Sequence, residues 1–272
     1  MTPSANVLTD VQILGFLKAN KFQFKKSRDM IRNHLQFRRV RHVDDPIFNH
    51  FEAGRLSLKS NYLRIGGLDQ HLRPILVFQA GNLPKETPAM ESDDHAAIHI
   101  AKYIIEPLHA ILQQDKITFV TDIQGFNPMT QFHKRFIENF VEHSVSQFPE
   151  SMAKAFIVNY STIASVAWMF VKKVLEQKTL STISFAEKEE LLESVDLRML
   201  EKKWGGKHAE FPRADDLRCD FRWYVSEIAK IYPDNEKVKI AMKVIETLHK
   251  PDESIYFDCE EIREKVRTLK EI

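Results

Sequence analysis

The chain has 272 residues, 43% of them hydrophobic and 28% charged, which is enough to bury a real core in one large domain or in one domain with helical additions. A net charge of +1 gives no global pull toward nucleic acid or a membrane. Two cysteines, Cys219 and Cys259, make no disulfide framework and point to a reducing compartment.

The N-terminal MTPSANVLTD has no apolar core segment, so no signal peptide is expected. Thr9 with Gln12 three residues on has the pattern of a capping box. Leu8 and Ile13 can close a hydrophobic staple over it. Ile13, Leu14 and Leu17 then fall on one face of a first helix. A second helix is expected from Phe24 to Arg41, with Phe24, Met30, Ile31, Leu35 and Phe37 inward, broken at Asp44-Asp45-Pro46. Basic residues crowd Lys18 to Arg41, with Asp29 the one acid among them. Such a run is either a solvated face or a patch that meets anionic headgroups. A weak helix over Pro46 to Phe51 and a polar linker ending at Gly66-Gly67 follow.

The pattern then changes. PILVFQAGNL (Pro74 to Leu83), ITFVTDI (Ile117 to Ile123), AFIVNY (Ala155 to Tyr160) and STISF (Ser181 to Phe185) read as four short strands. Between them lie helical stretches at Asp93 to Gln114, Asn127 to Phe148 and after Ser161. Another follows at Glu187 to Ser194. Strands alternating with helices imply right-handed crossovers and a mostly parallel sheet. Three further helices are expected near Asp215 to Ile231, Asn235 to His249 and Asp258 to Ile272.

The helix after Ser161 is the most telling. Ile163, Val166, Ala167, Trp168, Met169, Phe170, Val171, Val174 and Leu175 leave little polar surface. A helix apolar nearly all round is buried on both sides or covers something greasy. Its uncharged stretch, Ile163 to Val171, is far short of the roughly 20 residues that span a bilayer. A soluble, intracellular chain is therefore expected.

Catalytic signatures are missing. There is no phosphate loop, GxGxxG, GxSxG or HExxH. His95 and His99 sit four apart on a helix with no third ligand evident, so they read as helix-surface histidines. Asn159-Tyr160-Ser161 matches a glycosylation sequon by chance. No catalytic residue, metal or cofactor is assigned.

Five segments together resemble one family in its own order. ILGFLKANKF with SRDMIRNHLQFRR resembles its N-terminal helical motif, and RPILVFQAGNL its first sheet strand. ITFVTDIQGF resembles its Asp-x-x-Gly strand end, FPESMAKAFIVNYS its Pro-Glu segment with strand and Asn, and LEKKWGGK its closing aromatic-Gly-Gly. On these the chain is identified as a member of the CRAL-TRIO family of retinaldehyde-binding, tocopherol-transfer and phosphatidylinositol-transfer-like proteins. The resemblance covers about residues 8 to 210.

What the resemblance implies is an α/β fold: an N-terminal helical region (residues 1–60) and a lipid-binding domain (61–210) whose mostly parallel sheet floors a hydrophobic cavity under a mobile gate helix. A helical C-terminal extension (211–272) follows. The greasy helix falls at the gate position. The implied function is a carrier or sensor that binds one hydrophobic lipid and exchanges it with membranes. Its partners are that ligand and a transient, phosphoinositide-bearing membrane surface, with no nucleic acid. The C-terminal helices are left to cap the pocket or to bind a protein partner.

Pocket candidates are Phe78, Ile117, Phe119, Thr121, Phe132, Phe136, Val158, Tyr160, Ile163, Trp168, Phe170 and Val171. Trp168 stands out, being large, on the gate and flanked by Ser165 and Lys172. Lys21 and Lys188 are candidates for headgroup or membrane docking. Several positions depart from the phospholipid-transfer pattern. A basic pair is Asn20-Lys21, a Thr-x-x-Lys ends in Thr182, and a Ser-x-Thr is Ile117-Thr118-Phe119. Glu150 is kept without its usual lysine. These departures favour a ligand less polar than phosphatidylinositol, with phosphatidylinositol/phosphatidylcholine transfer as the alternative.

Overall fold

Five strands run in one sheet in chain order: β1 (Leu63–Leu68), β2 (Pro74–Gln79), β3 (Ile117–Asp122), β4 (Met152–Val158) and β5 (Ile183–Phe185). β1 and β2 pair antiparallel, and the other neighbours are parallel. The computed structural model describes residues 8–45, 47–85, 90–160, 165–175, 177–216, 220–248 and 259–270. β1 corrects the expectation of a linker ending at Gly66-Gly67. Its glycines hide a strand because they lower β propensity, but they mark a bulge between Ile65 and Leu68. Gly67 has φ +93°, and a Cβ there would stand 2.5 Å from the Phe211 ring.

Register sorts the side chains into two faces. Leu76, Phe119, Ala155 and Ile183 form one row across β2 to β5, and Phe78, Thr121, Ile157 and Phe185 form the next row on the same face. Val77, Val120, Phe156 and Ser184 form a row on the opposite face.

Helices α1 (Asp10–Ala19) and α2 (Phe24–Val40) form an N-terminal hairpin. The expected capping box is present: Thr9 accepts from the Gln12 N–H, and Gln12 accepts from the Thr9 N–H. The expected inward faces hold only in part, with Leu17, Met30, Ile31 and Phe37 half-buried. Phe16 is the buried residue of α1, and Ile13 and Leu14 are exposed. On α2 the buried stripe is Ser27, His34 and Arg38, while Phe24 and Leu35 are exposed. Polar residues win these places because they find partners. Ser27 donates to the Gln23 carbonyl (3.1 Å), His34 meets Gln147 (2.8 Å), and Arg38 pairs with Asp44. Short helices α3 (His50–Ala53) and α4 (Arg55–Ser60) lead into β1.

The β2–β3 crossover is one long helical run: α5 (Met90–Ile100), a π-turn over Ala101–Ile105, and α6 (Glu106–Leu112). Pro107 explains the π-turn, since a proline removes one N–H and clashes with the carbonyl four residues back. His95 and His99 correct the reading of them as surface histidines. Both are buried, His95 against His50 at 3.1 Å and His99 against Phe51 and Tyr103.

The β3–β4 crossover breaks at Phe132-His133 into α7 (Pro128–Gln131) and α8 (Lys134–Gln147). α9 (Ser165–Val174) and α10 (Gln177–Leu180) lie between β4 and β5, and α11 (Lys188–Ser194) follows β5. From α11 onward the chain buries Leu191, Val195, Met199, Leu200 and Trp204 in the same core cluster as Val120 and Phe156. Three helices end the described chain: α12 (Phe221–Ile231), α13 (Glu236–Thr247) and α14 (Cys259–Lys270). They pack on one another and on α6, and bury Tyr224, Val225, Ile228, Val244, Ile262 and Val266. Among the described residues no helix is long and apolar enough to cross a membrane.

Candidate functional site

The middle of the sheet is where packing is incomplete. β3 is the central strand, and its exposure alternates. Thr118, Val120 and Asp122 are buried on one side, while Ile117, Phe119 and Thr121 are only half-buried on the other. Neighbouring Leu76 and Phe78 on β2 are half-buried as well. A central strand is normally covered on both faces, so these half-buried apolar residues mark the less completely covered face of the sheet. On β4, Ala155 beside Phe119 and Ile157 beside Thr121 are buried.

Two aromatic groups flank this floor. On the β2 side Phe78 contacts Tyr62 (5.7 Å) and Phe140 (5.4 Å), and Phe136 contacts Tyr62 and Phe140. On the β5 side Phe185 receives Tyr160 (4.7 Å) and Trp168 (5.0 Å) edge-on. Phe132 meets Phe170 edge-on at 5.5 Å. The helix break at Phe132 explains this split, because Phe132 turns to α9 while Phe136 and Phe140 stay with α8. α9 thus touches the floor's rim through Trp168 and Phe170. Its Met169 is 58% exposed, and Lys172 and Lys173 are exposed beside it.

Sequence-derived candidates sort accordingly. Phe78, Ile117, Phe119 and Thr121 share the open face. Phe132, Tyr160, Trp168 and Phe170 form the aromatic rim, and Val171 is half-buried on the same helix. Phe136 is fully buried behind Phe140. Val158 does not join them. It pairs with Asp122 and so lies on the opposite face, buried. Ile163 lies outside the described residues, as does the side chain of Lys188. Lys21 is exposed at the α1–α2 turn.

The site is electrically quiet. In the two open-face rows Thr121 is the one polar side chain. Tyr62, at the floor's end, has its hydroxyl pKa raised by burial and by Asp93, to which it donates a hydrogen bond. Burial likewise raises the Asp93 carboxyl, so both favour their neutral forms.

Polar chemistry gathers on the closed face instead. Asp122 accepts from the Gln124 N–H (3.0 Å), Asn159 Nδ2 (2.8 Å) and Trp204 Nε1 (3.1 Å). Three motif fragments distant in sequence therefore converge on one carboxylate that ties strand ends to the closing segment. Arg64 on β1 and Glu201 form a buried ion pair at 2.7 Å, with Lys203 3.2 Å from Glu201. Sequence reading missed this pair, whose members are 137 positions apart. Gly206 completes the segment, since a Cβ there would lie 1.8 Å from the Leu200 carbonyl oxygen. These contacts hold the frame and leave the open face free.

Comparison with known proteins bears on the family and the fold. Residues 58–206, more than half of the chain, match the family model described as the CRAL/TRIO domain. Phosphatidylinositol/phosphatidylcholine transfer protein SFH7 of Arabidopsis thaliana is 26% identical over 238 residues, covering 80% of this chain and 43% of its own length. Phosphatidylinositol/phosphatidylcholine transfer protein SFH4 of the same plant is 26% identical over 237 residues, covering 80% and 39%. The chain thus spans about two fifths of these relatives. The solved structure titled "Crystal structure of Sfh5" superposes with a TM-score of 0.52 at 16% identity, covering 68% of this chain and 67% of that one, and shares the fold.

Proposed function

The chain belongs to the CRAL/TRIO domain family, and from that membership we propose that it is a lipid carrier. It holds one lipid tail between the open face of the sheet and helices α8 and α9, and exchanges it with membranes without making or breaking a bond. The observation that carries this reading is the half-exposed apolar floor on the central strand, Ile117 and Phe119 with Leu76 and Phe78 beside them.

Sheltering a tail of about 16 carbons from water is worth on the order of 10 kcal/mol at roughly 0.8 per methylene. Most of that is cancelled when the competing state is a bilayer, so loading and release sit near balance. α9 is the gate. Trp168 and Phe170 face the rim, and Met169 presents apolar surface outward, where an opened helix enters the membrane. Membrane contact is peripheral, and helices α12 to α14 brace α6.

Two ligand classes are in view. The single Thr121 on the floor rows favours a weakly polar molecule of the fat-soluble vitamin, sterol or isoprenoid kind. The names of the relatives favour phosphatidylinositol or phosphatidylcholine. A donor-to-acceptor vesicle assay separates them. The protein is expected to accelerate transfer of one class in preference to the other. No acceleration for any of these lipids would sink the carrier reading.

A further inference from the structure

The α1–α2 hairpin shows its apolar residues to solvent. Phe22 and Phe24 at its tip are 64% and 73% exposed, and Val11, Ile13 and Leu14 are exposed along α1. The turn itself is strained. Lys21 and Phe22 are consecutive non-glycine residues with left-handed backbone, φ 51° and 58°. The Lys21 N–H donates to the Lys18 carbonyl (3.0 Å) and the Phe22 N–H to the Leu17 carbonyl (2.8 Å), which locks the tip in that shape. Strain held in place around an outward-facing aromatic calls for a use.

Charge supplies the partner. Lys18, Lys21, Lys25 and Lys26 are all exposed around the two rings, and no acid occurs from Lys18 to Arg28. Among the described residues none of these four lysines forms an ion pair. A protein interface is depleted in lysine and mixes signs at its rim. Aromatic rings ringed by flexible cations instead suit an anionic bilayer, with the rings at the acyl boundary and the ammonium groups at the headgroups.

We propose that the tip of the α1–α2 hairpin is a bilayer-docking point, separate from the gate helix, that seats Phe22 and Phe24 in an anionic leaflet. This deepens the carrier reading by naming how the protein meets its membrane, and it rests on that reading for the need to do so.

The test is co-sedimentation of the full chain with vesicles of phosphatidylcholine alone and of phosphatidylcholine mixed with phosphatidylserine. Binding is expected on the mixed vesicles. K25E/K26E should weaken it by at least about twentyfold, at roughly fivefold per lysine. F22S/F24S should weaken it about tenfold or more. All four side chains are exposed, so both variants should melt with the parent protein.

Equal binding to vesicles without phosphatidylserine, or variants that bind like the parent, would overturn the proposal. A dimer that F22S/F24S dissolves would assign the tip to a second copy and overturn it too. Lipid extracted from the variants reads the carrier function separately. A chain that docks but never carries lipid would sink the carrier reading and leave the docking point standing.

Discussion

Phe119 and Phe156 lie one strand apart on opposite faces, and the difference between them is the difference between the proposed site and the core. Phe156 is fully buried beside Val120, with the Lys154 ammonium 5.8 Å from its ring. Phe119 is half-buried above Ala155. Truncating a buried phenylalanine removes transfer energy and leaves a cavity, so Phe156→Ala should cost about 3–5 kcal/mol in urea unfolding. Phe119→Ala should cost much less and should instead lower the lipid recovered with the protein. The reverse order would mean that the floor is ordinary core. The alternation of β3 was legible because a strand has period two. Val158 was misplaced because parity alone does not say which face a strand presents. Only its pairing with Asp122 does. Arg64 and Glu201 were not legible at all, since nothing local marks two charges that meet across the fold.

Helix α9 was readable from composition, because so few polar residues on a helix leave it only greasy neighbours. Trp168 is held by Phe185 at 5.0 Å and capped by Lys172, 5.6 Å above its ring, and it stays half-buried. Trp168→Ala should therefore lower ligand retention more than it lowers the melting temperature. Equal losses would make Trp168 a plain core residue. Other elements resisted reading for physical reasons. β1 was hidden by its two glycines, and the break at Phe132 carries no proline or glycine to announce it. The α1–α2 faces were legible only in part, because apolar residues are only usually inside and here paired polar groups take the most buried places.

One hydrophobic core runs from Phe51 to Val266 among the described residues, so α12 to α14 share the cluster of the sheet. Buried histidines tie that core to pH. His34, His50 and His99 are each pushed from 6.5 down to about 4, chiefly by burial. Between those values the unfolded chain takes up protons that the folded chain refuses. Stability is then unaffected above about pH 6.5 and falls as pH drops toward 4, by at most about 1.4 kcal/mol per pH unit for each histidine. Among the described residues His99 Nδ1 has no hydrogen-bond partner, and its ring packs on Phe51 and Tyr103. His99→Phe should therefore keep the packing and make the acid loss shallower, read by urea titration at neutral and acid pH. An unchanged slope would remove His99 from this account. The fold class was legible from strand–helix alternation, but the half-buried floor, on which the proposed function rests, needed the register of five strands. Native mass spectrometry of the purified chain, before and after incubation with vesicles, tests that floor most directly. One lipid mass per chain, released on unfolding, is the expected result; a bare chain under both conditions would contradict it.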